Sequence, residues 1–414
     1  MTTSTIPATT TEPAETDEPG RAMAGTPPLS RLTDSDLYAT GDPHPLWEWM
    51  RAEAPVHWQP ATELPGFWSL TRHADIRAVY QDSATFSSAQ GVLLRPAAAG
   101  PDPGGNLTLA LTDAPRHKQL RTLMAGWFNT RAVRALEGYV RASVRGVLDR
   151  AAEQDTCDFA TDVAGRLSLM TIAHILGVPE ADHDKLYRWT DEAFAAHSSL
   201  VSHPDIVDYF MDLLYRRMEE PTDDLVSALL HGTVGGDLLT EIEVVLNCEN
   251  LIGATENGRL ALIGGAQALL EHPQQWQRLA HDRALLPSAI EEIMRWTSSA
   301  THSVRTATRP YELRGQRISP GDKVVLWLPS ANRDEDVFTD PYEFDITRTP
   351  NRHIALAVGE HFCIGATLAR AQMRVLFSEL LDGAYAIELD GPVRRVSSIA
   401  VNGTESLPVR LRAR

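Results

Sequence analysis

Cysteine is scarce in this chain of 414 residues: Cys157, Cys248 and Cys363 are the only three. None sits at a spacing that suggests a disulfide framework or a zinc site, so a reducing cytoplasm is the expected compartment. No run approaches the roughly 20 apolar residues that cross a bilayer, which argues against a membrane anchor. Positive charge is also short. Thirty-eight Lys and Arg against 55 Asp and Glu leave a formal net charge of -17, which repels phosphate backbones and anionic headgroups. Nucleic acid and membrane surfaces are therefore poor partners. The first 31 residues are rich in Thr, Pro, Ala and Glu and poor in bulky apolar side chains. They are expected to form a disordered tail, with the fold beginning near Leu32.

What the chain does have is apolar periodicity. Hydrophobic residues make up 43% and charged ones 22%, enough for a sizeable core. Helical spacing is expected over 132–152, 163–175, 205–218, 240–271, 286–296 and 367–381. Strand-like stretches are few: 67–70 after the Pro65-Gly66 turn, 313–318, 323–328 and 409–411. The fold class is mainly α with minor β. Neither an internal repeat nor a shift in composition divides residues 32–414, which are taken as one domain. Two long polar or Pro/Gly-rich loops, 91–106 and 195–204, have the character of lids.

Around the third cysteine runs Leu356-Ala357-Val358-Gly359-Glu360-His361-Phe362-Cys363-Ile364-Gly365, followed by a helical pattern. A helix entrance offers free N–H groups and a positive dipole end, which favour a thiolate and make sulfur a competent metal ligand. Gly359 and Gly365 permit tight turns beside a flat cofactor. A cysteine on its own is more often a small buried hydrophobe. This segment, however, resembles the haem-ligand loop of the cytochrome P-450 family, Phe-Gly-x-Gly-x-His-x-Cys-x-Gly. Gly359, His361, Cys363 and Gly365 match; Leu356 and Ala357 stand where the family has Phe and its first Gly. The resemblance implies a haem iron held by Cys363, with altered packing on the sulfur side of the ring.

Separate segments carry the same resemblance. Glu292 and Arg295 share one face of a helix and match the family's Glu-x-x-Arg pair, with Arg348 as the third member of a structural trio. His117 and Arg121, one helical turn apart, match residues that hold haem propionates, as do Arg305 and His361. The 240–271 helix would run on the order of 45 Å and is similar to the family's central helix. Its Gly253-Ala254-Thr255-Glu256-Asn257 stands at the small-residue, acid and alcohol motif. Small residues 253 and 254 would leave room over the iron, and Glu256 keeps the acid. Asn257 replaces the alcohol, and since a carboxamide relays protons poorly, a water-assisted route gated by Glu256 is expected. Glu249, Gly253 and Glu256 share a helical face. If that face looks into the pocket, Glu249 would meet a cationic or hydroxylated part of the substrate; a carboxylate near a solvated entrance is the other reading. By position, Val92, Leu93, Leu94, Ala254, Ser303, Val304 and Val401 are candidates for the pocket lining, and Arg95 and His302 add polarity.

The resemblance implies a single triangular P-450 fold with haem b between the central helix and the cysteine loop. It also implies a monomeric haem-thiolate monooxygenase that inserts one oxygen atom from O2 into a small organic substrate, free or carrier-tethered, in secondary-metabolite tailoring. The chain shows no flavin or iron-sulfur motif, so electrons are expected from a ferredoxin and its reductase, docked through Arg116, Lys118, Arg370 and Arg374. Asn257 leaves room for a non-hydroxylating outcome such as oxidative coupling, and a haem-binding protein without turnover is the alternative from another class.

Overall fold

The computed structural model describes residues 27–195 and 203–414. The helices that frame the site are α1 (Arg116–Ala125), α2 (Glu137–Ala152), α3 (Arg166–Ile175), α4 (His183–Ala195), α5 (Pro204–Glu219), α6 (Glu241–Glu271), α7 (Leu286–Thr297) and α8 (Ala366–Leu381). The longest, α6, starts where Thr240 and Glu243 cap one another: the Thr240 N–H donates to Glu243 Oε2 at 2.8 Å, and the hydroxyl accepts from the Glu243 N–H at 3.4 Å. Its 31 residues contain no proline, so nothing interrupts the ladder until Pro273. It is buried on most of its circumference and packs against α3, α5 and α7, as expected of a helix at the centre of a core.

Strands β1 (Val56–Gln59), β2 (Phe67–Leu70), β3 (Phe86–Ser87), β4 (His302–Ala307) and β5 (Lys323–Trp327) form one sheet in the order β1-β2-β5-β4-β3. Only the β2–β5 pair is parallel. This sheet carries Arg305 and Lys323 on neighbouring strands.

Several elements depart from the sequence pattern. Leu29, assigned above to the tail, is buried at 6% with Leu32 in a cluster containing Trp47, Met50 and Trp327. Two leucines three residues apart supply enough apolar surface to order the segment on a 3-10 turn. The 132–152 helix is broken at Leu136, between Thr130–Ala135 and α2, because Leu136 packs against two cores at once. The 163–175 helix begins inside a π-helical segment, Phe159–Gly165. There Gly165 leaves room for Tyr187, whose hydroxyl would lie 2.9 Å from an added Cβ. The 313–318 stretch is a tight hairpin turning at Arg314 and Gly315, both with positive φ. Of the two lids, 91–106 is bridged by Arg95 and Asp102 at 3.3 Å, while 195–204 falls mostly outside the described residues.

Candidate active site

A cavity of about 360 Å³ separates the middle of α6 from the loop that enters α8. The loop is folded by its own backbone. Ala357 takes φ 57° and Gly359 φ 77°, a 3-10 turn spans Gly359–His361, and the Cys363 N–H donates to the Leu356 carbonyl at 2.9 Å. A Cβ on Gly359 would lie 2.7 Å from the Tyr80 carbonyl, so only glycine fits there. Cys363 itself lines the cavity. Burial pushes its thiol up from the ordinary value, while the Gly365 N–H, Arg121 and Arg370 pull the other way. A cation at the sulfur would tip this balance to thiolate.

Basic groups gather beside the sulfur. His117 is 2% exposed and its Nε2 has no hydrogen-bond partner. Its ring lies against that of His361, with centroids 4.2 Å apart. Burial first, then Arg305, His117 and Arg121, push His361 down to about 3. Burial also lowers Arg121 and Arg305, and neither has a carboxylate partner among the described residues. Arg305 donates through Nη1 to Ser303 Oγ and the Val304 carbonyl, both at 2.8 Å, and its guanidinium lies 5.1 Å from the Tyr80 ring centroid. A buried guanidinium without a carboxylate in direct contact, Arg305, and an orphaned imidazole nitrogen, that of His117, are costly unless an anion joins them. A haem, with two propionates and an iron for the thiolate, fits this donor set.

Beneath the loop, the expected trio comes together. Glu292 and Arg295 are both 0% exposed; Arg295 donates to Glu292 at 2.7 and 2.8 Å, and Arg348 Nε donates at 3.1 Å. Asn351 Nδ2 and the Asp345 N–H also donate to Glu292. Arg295 donates further to three carbonyls. The trio is structural, anchoring the segment that leads to the cysteine loop.

On the opposite wall, Ala254, Thr255, Asn257 and Gly258 face the cavity, and the buried Asn257 Oδ1 has no partner. Glu256 does not face it. It points to the other side of α6, where Arg259 Nε lies 3.0 Å away and Arg259 donates to Asp191 at 3.0 Å. Gly165, Tyr187 and Thr190 close a void of about 10 Å³ there. Burial raises the Glu256 carboxyl, opposed by Arg259. Glu249 and Gly253 share this outward side and are not part of the cavity wall, so the expectation that Glu249 meets substrate there fails: a helix presents one face, and packing turned this one toward the neighbouring helices. Glu249 is 0% exposed with neither oxygen hydrogen-bonded.

Of the other lining candidates, Val92, Leu93 and Ser303 border the cavity, as does His302. Leu94 and Val304 line a second cavity instead. Val401 bridges to Ala300, which lines the cavity, but is not itself in the wall. Tyr80, Phe128, Ser168, Met294, Thr297 and Gln372 are in the wall without having been singled out. No local signal marks them, because each reaches the cavity only through long-range packing. The expected basic patch is largely neutralised: Arg116 pairs with Glu243, Arg370 with Glu291 at 2.6 Å, and Arg374 with Glu137 at 3.1 Å. Lys118 alone of the four has no carboxylate partner among the described residues.

No helix among the described residues is long and apolar enough to cross a membrane. The family model described as Cytochrome P450 matches residues 266–387. Cytochrome P450 NovI of Streptomyces niveus is 36% identical over 389 residues, covering 92% of this chain and 96% of that protein. A steroid C26-monooxygenase of Mycolicibacterium smegmatis is 33% identical over 391 residues, covering 91% and 95%. Among solved structures, P450 OxyD, involved in the biosynthesis of vancomycin-type antibiotics, superposes with a TM-score of 0.85 at 34% identity, covering 92% and 99%. With the cysteine loop and its cavity placed as described, the chain belongs to the cytochrome P450 family of haem-thiolate monooxygenases.

Proposed function

We propose that this protein inserts one oxygen atom from O2 into a small organic substrate in secondary-metabolite tailoring, with haem b as cofactor and a ferredoxin as electron donor. The observation that carries this reading is Cys363 and His361 in the wall of one cavity, with the orphaned His117 ring against His361 and with Arg121 and Arg305 within electrostatic reach of the same pair. The bound haem supplies oxygen activation, driven by electron donation from the thiolate.

The chain's own residues divide the remaining work. Cys363 would ligate the iron, and His117, Arg121, Arg305 and His361 would hold the propionates. The apolar wall, including Leu251, Ala254 and Ala261, excludes water and orients the substrate. Glu256, buried with its carboxyl raised by desolvation and opposed by Arg259, is the acid of the proposed proton route, on the far side of α6. Its chain of contacts through Arg259 ends at Asp191, which is 41% exposed and so reaches solvent. Asn257, in the cavity wall with an unpartnered carboxamide oxygen, would hold a water there as the next member of the route.

The reduced protein with carbon monoxide is expected to give the absorption band of a thiolate-ligated haem, and Cys363→Ser to abolish it. A normal band in that variant would reject the ligand assignment. With a ferredoxin system and substrate, Glu256→Gln is expected to slow product formation by about 10²-fold or more, with the electrons from NADPH diverted to peroxide. Unchanged coupling would remove Glu256 from the proton route. Product analysis separates hydroxylation from oxidative coupling.

A further inference from the structure

A second cavity, of about 230 Å³, lies under the 91–106 lid beside the central one. Leu93 lines both, and the Val304 N–H donates to the Val92 carbonyl at 2.7 Å, pinning the lid to β4 at the junction. The wall of the second cavity carries two cations, Arg95 and Lys323, in a protein whose net charge is -17. Neither is fully satisfied. Arg95 Nη1 is a buried atom without a hydrogen-bond partner, and its nearest carboxylate, Asp102, stands 3.3 Å away with its other oxygen taken by the Gly104 N–H. Lys323 donates to Gln90 Oε1 at 3.0 Å and Thr306 Oγ1 at 2.8 Å, both neutral acceptors, which leaves its charge uncompensated and one of three donors free. Burial lowers its ammonium, a cost that an adjacent anion reverses.

We propose that this second cavity is a subsite for an anionic group of the substrate, a carboxylate or a phosphate, held by Arg95 and Lys323 while the rest of the molecule passes Leu93 into the central cavity. The proposal rests on the haem-thiolate reading, since it takes the central cavity as the place of oxidation. Asp102 acts in the free protein as a weak internal occupant of Arg95, so an incoming anion displaces one carboxylate and gains a second cation.

The test uses probes anchored at the iron and independent of the true substrate: a series of ω-imidazolyl alkanoic acids of increasing chain length, the matching n-alkylimidazoles, and ω-imidazolyl alkyl phosphates, titrated by the Soret shift on the holoprotein. At the chain length that spans the two cavities, the acid or the phosphate is expected to bind about tenfold tighter than the alkylimidazole, the increment of one charge-assisted contact. Which of the two gains more distinguishes a free carboxylate from a phosphate-bearing tether. Arg95→Ala and Lys323→Gln should each erase the gain while leaving 4-phenylimidazole binding as it was. Asp102→Asn should enlarge it. Acids and phosphates that bind no tighter than alkylimidazoles at any length, or a preference indifferent to all three variants, would overturn the subsite. Absence of any Soret shift with 4-phenylimidazole would instead overturn the haem reading beneath it.

Discussion

Glu249 has a charge with nowhere to go. Desolvation pushes its carboxyl up to about 8 from 4.5, so the folded chain prefers it protonated. The raised value means that its share of stability is complete below about pH 4.5 and is lost as pH rises through about 8. Glu249→Gln is therefore expected to melt several degrees above the parent at about pH 9 and alongside it at about pH 5, as thermal unfolding at the two pH values will show. Ala357 poses the converse problem. It stands where the family pattern has glycine and holds φ 57°, a conformation that costs a side-chain-bearing residue about 1–2 kcal/mol. Ala357→Gly should raise the unfolding free energy, read from the denaturation midpoint, by up to about 1 kcal/mol, glycine's larger unfolded-state entropy taking back part of the gain. An unchanged or lower midpoint would show that the Ala357 methyl contributes packing worth more than the strain. The departure from the pattern is plain in the sequence; its backbone cost appears only once the loop has a shape.

Between elements, α7 and α8 share one apolar core cluster and an electrostatic tie. Glu291 accepts from Arg370 at 2.6 and 2.8 Å and from His353 at 3.1 Å. Burial would raise this carboxyl, but the hydrogen bonds from Arg370 and His353 hold it down to about 2 from 4.5. A depressed value contributes stability that is present above about pH 4.5 and lost as pH falls through about 2. Glu291→Gln should flatten the acid limb of stability in that window, read as denaturant midpoint against pH, and an equally steep limb would assign acid lability to other carboxylates. The helices themselves were largely legible. α6, α7 and α8 begin and end within one residue of the sequence pattern, because long uninterrupted apolar periods leave little choice. Where the pattern misled, at Leu136, at the π-helical segment and at Arg314-Gly315, the deciding contact lay elsewhere in the chain or the turn signal was only two residues long.

At the scale of the whole molecule, haem is expected to act as a wedge of stability between α6 and the cysteine loop. A ligand that binds only the folded state stabilises by several kcal/mol at saturating excess over its dissociation constant. Apoprotein should unfold at a lower temperature than reconstituted protein and lose amide-exchange protection first around Cys363, whereas identical melting curves would place the haem outside the fold's support. What the sequence determined by itself was Cys363 as the proposed iron ligand, the bounds of α6, α7 and α8, and the Glu292, Arg295 and Arg348 trio, all written in short motifs or regular periods whose physics is local. Tertiary structure alone decided which face of α6 looks inward, putting Asn257 in the cavity wall and Glu249 and Glu256 behind it. It also decided that three of the four docking arginines and lysines spend their charge on carboxylates, and that Arg95 and Lys323, separated by more than half the chain, share one cavity. Direction and partnership depend on how distant elements pack, and a helical period is the same whichever way the helix is turned.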